Sequence, residues 1–322
     1  MKNENRLKTQ KNTLTLLSDL SLLGVSAIWG VTFVTMKNLL TNFHVAEVLL
    51  GRFLVATIFT LLLFSKLKFE PQSFRKGFLP GIFLFAGYFF QSWGLTFTTP
   101  ARSGFITGFS VILVPFISWM ILKAKPPFYS YLGAILSTLG LFFLLTPQRL
   151  TINPGEKLLR GDILTLLGAI AYALQIVLVE KLTSKADGFS MALGEFSIMT
   201  IFSLGIALSI PTASVTTILI TQPLAVTFLG IVATAIAFIT QKIAQKYTPS
   251  THVALIFASE PVFAAIFANL LWDEKCTPRT VAGCALILGG ILSCEVPRTL
   301  TRHYQHLPAS NQTQVPRHRE DR

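Results

Sequence analysis

Residues 50–59 read "LGRFLVATIF" and residues 193–202 read "LGEFSIMTIF". Leu, Gly, Phe, Thr, Ile and Phe coincide at a separation of 143 positions. The same separation aligns Asp19 with Asp162, Trp29 with Tyr172 and Val34 with Val177. Farther along, "QSWGLTFT" (91–98) aligns with "QKIAQKYT" (241–248) at 150 positions, as do Gly133 with Gly283 and Gly140 with Gly290. Between these blocks Pro115 aligns with Pro261 at 146. Any one match arises easily by chance. A series of them in the same order along the chain does not, and it reads as two copies of one unit separated by small insertions.

The solvent for these copies follows from composition. Of 322 residues, 52% are hydrophobic and 13% charged, and the mean hydropathy is +0.60. A soluble domain carries about 25% charged residues, so this surface faces lipid. The chain reads as an all-α polytopic membrane protein. A bilayer core takes about 20 apolar residues per helix. Ten stretches qualify: 17–37, 46–64, 78–97, 103–122, 129–146, 162–180, 191–210, 225–243, 250–271 and 280–294. They divide the chain into an N-terminal polar segment (1–13), a first five-helix repeat (14–146), a second (147–298) and a basic polar tail (299–322). Both polar ends are expected to be disordered in isolation.

Five is odd, so the second repeat enters the membrane from the opposite face. Ten helices as two inverted five-helix repeats is a frequent transporter architecture. Most of the basic residues then fall on one side: Lys2, Arg6, Lys8, Lys11, Lys66, Lys68, Arg75, Lys76, Lys123, Lys125, Lys181, Lys185, Lys242, Lys246 and the arginines from Arg298 onward. Lys37, Arg52, Arg102, Arg149, Lys157, Arg160, Lys275 and Arg279 fall on the other. Positive residues stay inside, so both termini are expected in the cytoplasm. This placement also accounts for the formal charge of +12 without nucleic acid as a partner. Cys276, Cys284 and Cys294 have neither metal-site nor disulfide spacing.

Several stretches carry a family likeness: "IWGVTFV" in the first helix, "RFLVA" in the second and "FITGFSVILVPF" at the fourth. In the second half it is "TQKIAQKYTPSTHVALIFASEPVFAAIFANLLWDE" followed by "AGCALILGGIL". Over roughly residues 17–295 the chain resembles the drug/metabolite transporter superfamily in its ten-helix, EamA-type branch. The second-half stretch is the most specific. The first half departs from the pattern, with "ILKAKPP" standing where the family has an acidic residue. The resemblance implies a transporter working by alternating access on a small-molecule substrate. Members export amino acids and other metabolites, or take up compounds such as S-adenosylmethionine. A bacterial inner (cell) membrane location is implied as well.

The polar residues within the greasy runs are the candidates for substrate binding or coupling. Glu260 stands in "LIFASEPVFAAIFANLLW" (255–272) directly before Pro261. A carboxylate facing hydrocarbon costs about 2.5 kcal/mol or more, and a proline leaves backbone carbonyls to be satisfied by neighbours or water. Together they point to irregular backbone beside a polar space; a purely structural Glu bonded to loop backbone is the competing reading. Arg52 and Glu195 share one repeat position with opposite charge, and one reading pairs them as an intracavity ion pair across the pseudo-two-fold axis. The alternative is an Arg reaching to headgroups and a Glu near a helix start. Gln91 and Gln241, also repeat-matched, offer donors and acceptors to a polar ligand or bond neighbouring helices. Trp29, Tyr172 and Tyr88 supply aromatic walls or packing, with Gln175 on the face of Tyr172. Gly24, Gly30, Gly133, Gly140, Gly283 and Gly290 read as close helix contacts. Asp19, Asp162, Asp273 and Glu274 read as solvated helix ends.

An enzyme is not indicated. There is no HExxH, P-loop or Gly-x-Ser-x-Gly, and no cofactor or metal set is expected. A secondary active transporter moving an amino acid-like or other amphipathic metabolite is the leading reading, with protons as a coupling partner through Glu260 or Glu195. Uptake or exchange of S-adenosylmethionine or a nucleotide-type metabolite is the alternative. A lipid flippase and a non-transporting scaffold are the readings from other classes. Substrate, direction and oligomeric state stay open.

Overall fold

The computed structural model describes residues 2–64, 68–98, 100–123, 126–145, 156–210, 214–263, 266–267 and 277–304. Every regular element among them is helical. The first half comprises α1 (Lys2–Gly30), α2 (Thr32–Leu40), α3 (Val45–Phe64), α4 (Pro71–Lys76), α5 (Phe78–Phe97), α6 (Pro100–Gly108), α7 (Ser110–Leu122) and α8 (Phe128–Leu145). The second comprises α9 (Glu156–Thr183), α10 (Gly188–Leu208), α11 (Val215–Thr221) and α12 (Pro223–Thr227), then a π-helical segment (Phe228–Ile236) that runs into α13 (Ala237–Ala244). It closes with α14 (Ser250–Phe257) and α15 (Pro278–Tyr304).

Six stretches are long and apolar enough to cross a membrane: Thr13–Leu40, Val45–Leu63, Pro71–Phe97, Glu156–Thr183, Gly188–Leu208 and Pro223–Ala244. Three shorter apolar helices span Ile106–Leu122, Phe128–Phe143 and Pro278–Ser293. All of these fall on expected spans. The far part of the remaining stretch, 250–271, lies outside the described residues, as do Asp273 and Glu274. The polar first residues continue α1 from Lys2, and α15 continues into the basic tail as far as Tyr304. Extending a helix costs far less than nucleating one, and each end adjoins an apolar helix that supplies the nucleus.

Outward-facing Leu16, Leu17, Leu20, Leu61, Met120, Phe128 and Leu224 are exposed. These are side chains that water would penalise and lipid accepts. Inside, repeat-matched Phe53 and Phe196 are both fully buried in one cluster. Repeat-matched Thr57 and Thr200 hydrogen-bond directly to each other at 2.9 Å where α3 packs on α10. A further matched contact joins α8 to α15. A Cβ on Gly140 would sit 2.6 Å from the Gly283 carbonyl oxygen, and one on Gly290 would sit 2.7 Å from that of Gly133. Only a residue without a side chain lets the backbones come this close. Gly24, expected to serve in the same way, has nothing within 4 Å of its hypothetical Cβ and mediates no close approach.

Candidate functional site: a cavity walled by both repeats

A cavity of about 950 Å³, mouth included, is lined by residues from both halves. The first half contributes Trp29, Arg52, Tyr88 and Gln91; the second contributes Tyr172, Gln175, Gln241 and Glu260. The structure therefore brings together every expected site residue except Glu195, which lies behind the wall.

Arg52 projects from α3 and is only 1% exposed. Its Nε donates to Thr234 Oγ1 at 2.7 Å. One Nη2 reaches Tyr88 OH at 3.0 Å and the Ala233 carbonyl at 3.2 Å. The guanidinium also sits 4.3 Å from the centre of the Tyr88 ring, a favourable cation–π arrangement. Among the described residues Nη1 has only the Met36 sulfur, at 3.9 Å. The π-helical segment makes this possible. Its wider turns interrupt the ordinary backbone ladder, as such segments do at functional sites, and the Ala233 carbonyl accepts from Trp29 Nε1 at 2.9 Å as well as from Arg52. Thr234 Oγ1 in turn donates to the Leu229 carbonyl at 2.7 Å.

The Arg52–Glu195 ion pair of that reading is absent. Glu195 is paired with Lys242, and both side chains are fully buried. Its other oxygen accepts from Gln175 Nε2 at 3.1 Å, and Gln175 and Gln241 exchange amide hydrogen bonds at 3.3 and 3.4 Å. The ammonium of Lys242 lies 5.5 Å and 5.9 Å from the ring centres of Phe238 and Phe196. The physical reason is proximity: Lys242 on α13 packs against α10, whereas Arg52 is spent on the π-helical segment. Lys242 is thus fully buried in the last turn of its span, a counter-ion for Glu195 and not a surface charge. Sequence did hold a signal for it. A carboxylate at Glu195 within a span needs a partner, and Lys242 is the cation next to the already suspect Gln241.

Glu260 follows a break in the helix at Ala258 and Ser259. Ser259 Oγ lies 2.6 Å from the Ile256 carbonyl and 3.0 Å from Ser26 Oγ, so the irregular backbone is served by a side chain. The Glu260 carboxylate is half-buried on the cavity. Among the described residues it has neither a hydrogen bond nor an ion pair. Gln91 is more occupied: Nε2 donates to Thr107 Oγ1 at 2.9 Å and Oε1 accepts from Tyr172 OH at 3.0 Å. Trp29 stands 5.1 Å from Phe238 and 4.7 Å from Phe257 between ring centres, and Tyr88 meets Tyr172 edge-on at 5.5 Å. Phe238 and Phe257 are cavity aromatics that the sequence reading passed over.

Beyond the Gln175–Gln241 floor the chain is tied shut. Thr248 Oγ1 donates to Asp19 Oδ1 at 2.6 Å, and His252 lies 3.7 Å from the same carboxylate. Gln245 Nε2 donates to the Ile176 carbonyl at 2.9 Å, and the Ser250 N–H donates to Glu180 at 2.8 Å. Asp19 is therefore an interhelical acceptor joining α1 to the α13–α14 turn, and not merely the solvated helix end expected.

Residues 16–146 and 159–294 each match the EamA-like transporter family. An uncharacterized transporter of Archaeoglobus fulgidus is 31% identical over 277 residues, 86% of this chain and 85% of its own. The uncharacterized transporter YoaV of Bacillus subtilis is 25% identical, covering 84% and 94%. One crystal structure superposes with a TM-score of 0.71 at 17% identity, over 87% of this chain and 96% of that one. The apolar helices and the cavity between two halves are those of a multi-pass membrane transporter. The chain belongs to the EamA-like transporter family.

Proposed function

We propose that the protein is a secondary active transporter whose cavity takes a small zwitterionic solute of amino acid type. One observation carries this reading. Arg52 and Glu260 line the same cavity with opposite charges, and neither forms a direct salt bridge among the described residues. A buried charge without a counter-ion is costly. A ligand carrying one ammonium and one carboxylate compensates both: its carboxylate meets Nη1 of Arg52 and its ammonium meets Glu260. Trp29, Phe238, Phe257 and Tyr172 suit an apolar or aromatic body between the two ends. An S-adenosylmethionine-type ligand shares the zwitterionic end and belongs to the same reading.

A cavity closed at one end suits alternating access. The cavity runs from the floor at Gln175 and Gln241 toward Leu95, Gly104 and Leu141, while the Asp19, Glu180 and Gln245 contacts shut the other side. Ten helices in two inverted repeats would let the halves exchange these roles at similar energy. With both termini in the cytoplasm of a bacterial cell membrane, the open side faces outward. For Glu260 a proton and the ligand ammonium are alternative ways of removing the cost of a buried charge, and their exchange would supply the coupling.

The test is counterflow in proteoliposomes with labelled amino acids, nucleosides and S-adenosylmethionine, wild type beside Glu260→Gln. Saturable exchange of amino acids by wild type alone supports the reading. Equal exchange by both removes Glu260 from recognition. Exchange of nucleosides only, or lipid scrambling without solute exchange, replaces the reading with another.

A further inference from the structure

We propose that the buried Glu195–Lys242 pair sets the polarity of the amide floor, so that the floor presents a hydrogen-bond donor to the ligand. Both members are then positioning residues for a substrate neither touches. The inference rests on the cavity being the substrate site.

Lys242 offers only donors and ionised Glu195 offers only acceptors. With Oε2 held by Lys242, Oε1 remains, and Gln175 must turn its NH2 toward it, as found at 3.1 Å. That choice leaves the Gln175 carbonyl oxygen facing Gln241. Gln241 must therefore turn its own NH2 to Gln175, as found at 3.3 Å. The second Gln175 hydrogen goes to Gln241 Oε1 at 3.4 Å. One N–H of Gln241, which lines the cavity, is left without a partner among the described residues. Each amide orientation follows from the charge at the buried end of the row. A row of two glutamines alone has no such direction, since either end of an amide satisfies the other. The ligand atom at the floor is accordingly an acceptor, a carboxylate or carbonyl oxygen, and its ammonium lies away from the floor.

Two arms test this, both using the full chain and the double variant Glu195→Gln/Lys242→Met, in which no buried charge is left unpaired. The first needs no ligand. Gln175→Met takes away the donor that Oε1 of ionised Glu195 needs and should lower the melting temperature steeply in the wild type, but by clearly less in the double variant, where residue 195 is neutral. An equal loss in both backgrounds overturns the imposed polarity. The second arm measures binding of L-phenylalanine and phenethylamine through tryptophan fluorescence. The double variant should weaken phenylalanine by about tenfold, the worth of one charge-assisted hydrogen bond, and leave phenethylamine unchanged. An equal weakening of both makes the pair a matter of stability alone and overturns the inference. If neither probe binds the wild type, the amino acid reading fails and the melting arm alone decides the polarity.

Discussion

Arg52 and Glu195 stand at matched places in the two repeats, and the protein neutralises them differently. Glu195 receives a full counter-charge from Lys242 and has no contact with the cavity. Arg52 receives neutral oxygens, a sulfur and the face of Tyr88, and it stays on the cavity wall. One repeat has turned the position into structure. The other has kept a charge solvated by dipoles on the cavity wall. The two positions match in sequence, and their neighbours make the difference.

The largest effect should come from splitting the paired side. Lys242→Met strands a buried carboxylate, which costs about 3–5 kcal/mol. Melting in detergent should fall accordingly, and the double variant Glu195→Gln/Lys242→Met should recover most of the loss. Equal melting of single and double variants would mean the pair contributes nothing. The direct hydrogen-bond partners of Arg52 are all neutral, so the stability cost of Arg52→Met should be smaller, about 1–3 kcal/mol, while saturable exchange disappears. Retained exchange would place substrate recognition elsewhere.

Where the repeats stay alike, the effects should be alike. Gly140→Ala and Gly290→Ala each push a Cβ into the carbonyl of the facing helix. Each should cost about 1–3 kcal/mol by similar amounts, and a large difference would show that α8 and α15 do not share the contact evenly. The smallest effect concerns a charge in water. Glu70 accepts from the Ser73 hydroxyl and from the Asp187 N–H at 3.2 Å. The Ser73 bond first, then the Asp187 bond, hold its carboxyl below the ordinary 4.5. A depressed folded value means the contribution is present above the ordinary value and is lost as pH falls through the lower one. Melting against pH should thus separate wild type from Glu70→Gln at neutral pH and bring them together in acid.

Most of the architecture was legible because lipid leaves few solutions. Apolar length located the spans, and the matched segments located the halves. Eight of the nine candidate residues, from Trp29 to Glu260, lie on one cavity because a polar group inside a span must find polar company. Pairing was not legible. Lys242 falls within the expected span 225–243, but its place at the span's last turn fits a surface cation as well as a buried one, and only packing against α10 decides between them. The Arg52 partners depend on a π-helical segment whose sequence, "FLGIVATAI", is that of any apolar helix. Asp19 and Thr248 lie 229 positions apart, a contact that no local pattern encodes.

The claim that this cavity is one side of a two-sided path is tested most directly by cysteine accessibility in oriented vesicles. Native cysteines would be replaced, and a single cysteine placed at Ser110 on the cavity or at Gln245 behind the floor. Labelling with a membrane-impermeant maleimide from each side, with and without an exchanged solute, reads which end is open. The account predicts that each position is reached from one side only, from opposite sides, and that solute raises labelling of one as it lowers the other. Simultaneous labelling of both from one side, or labelling indifferent to solute, would contradict it.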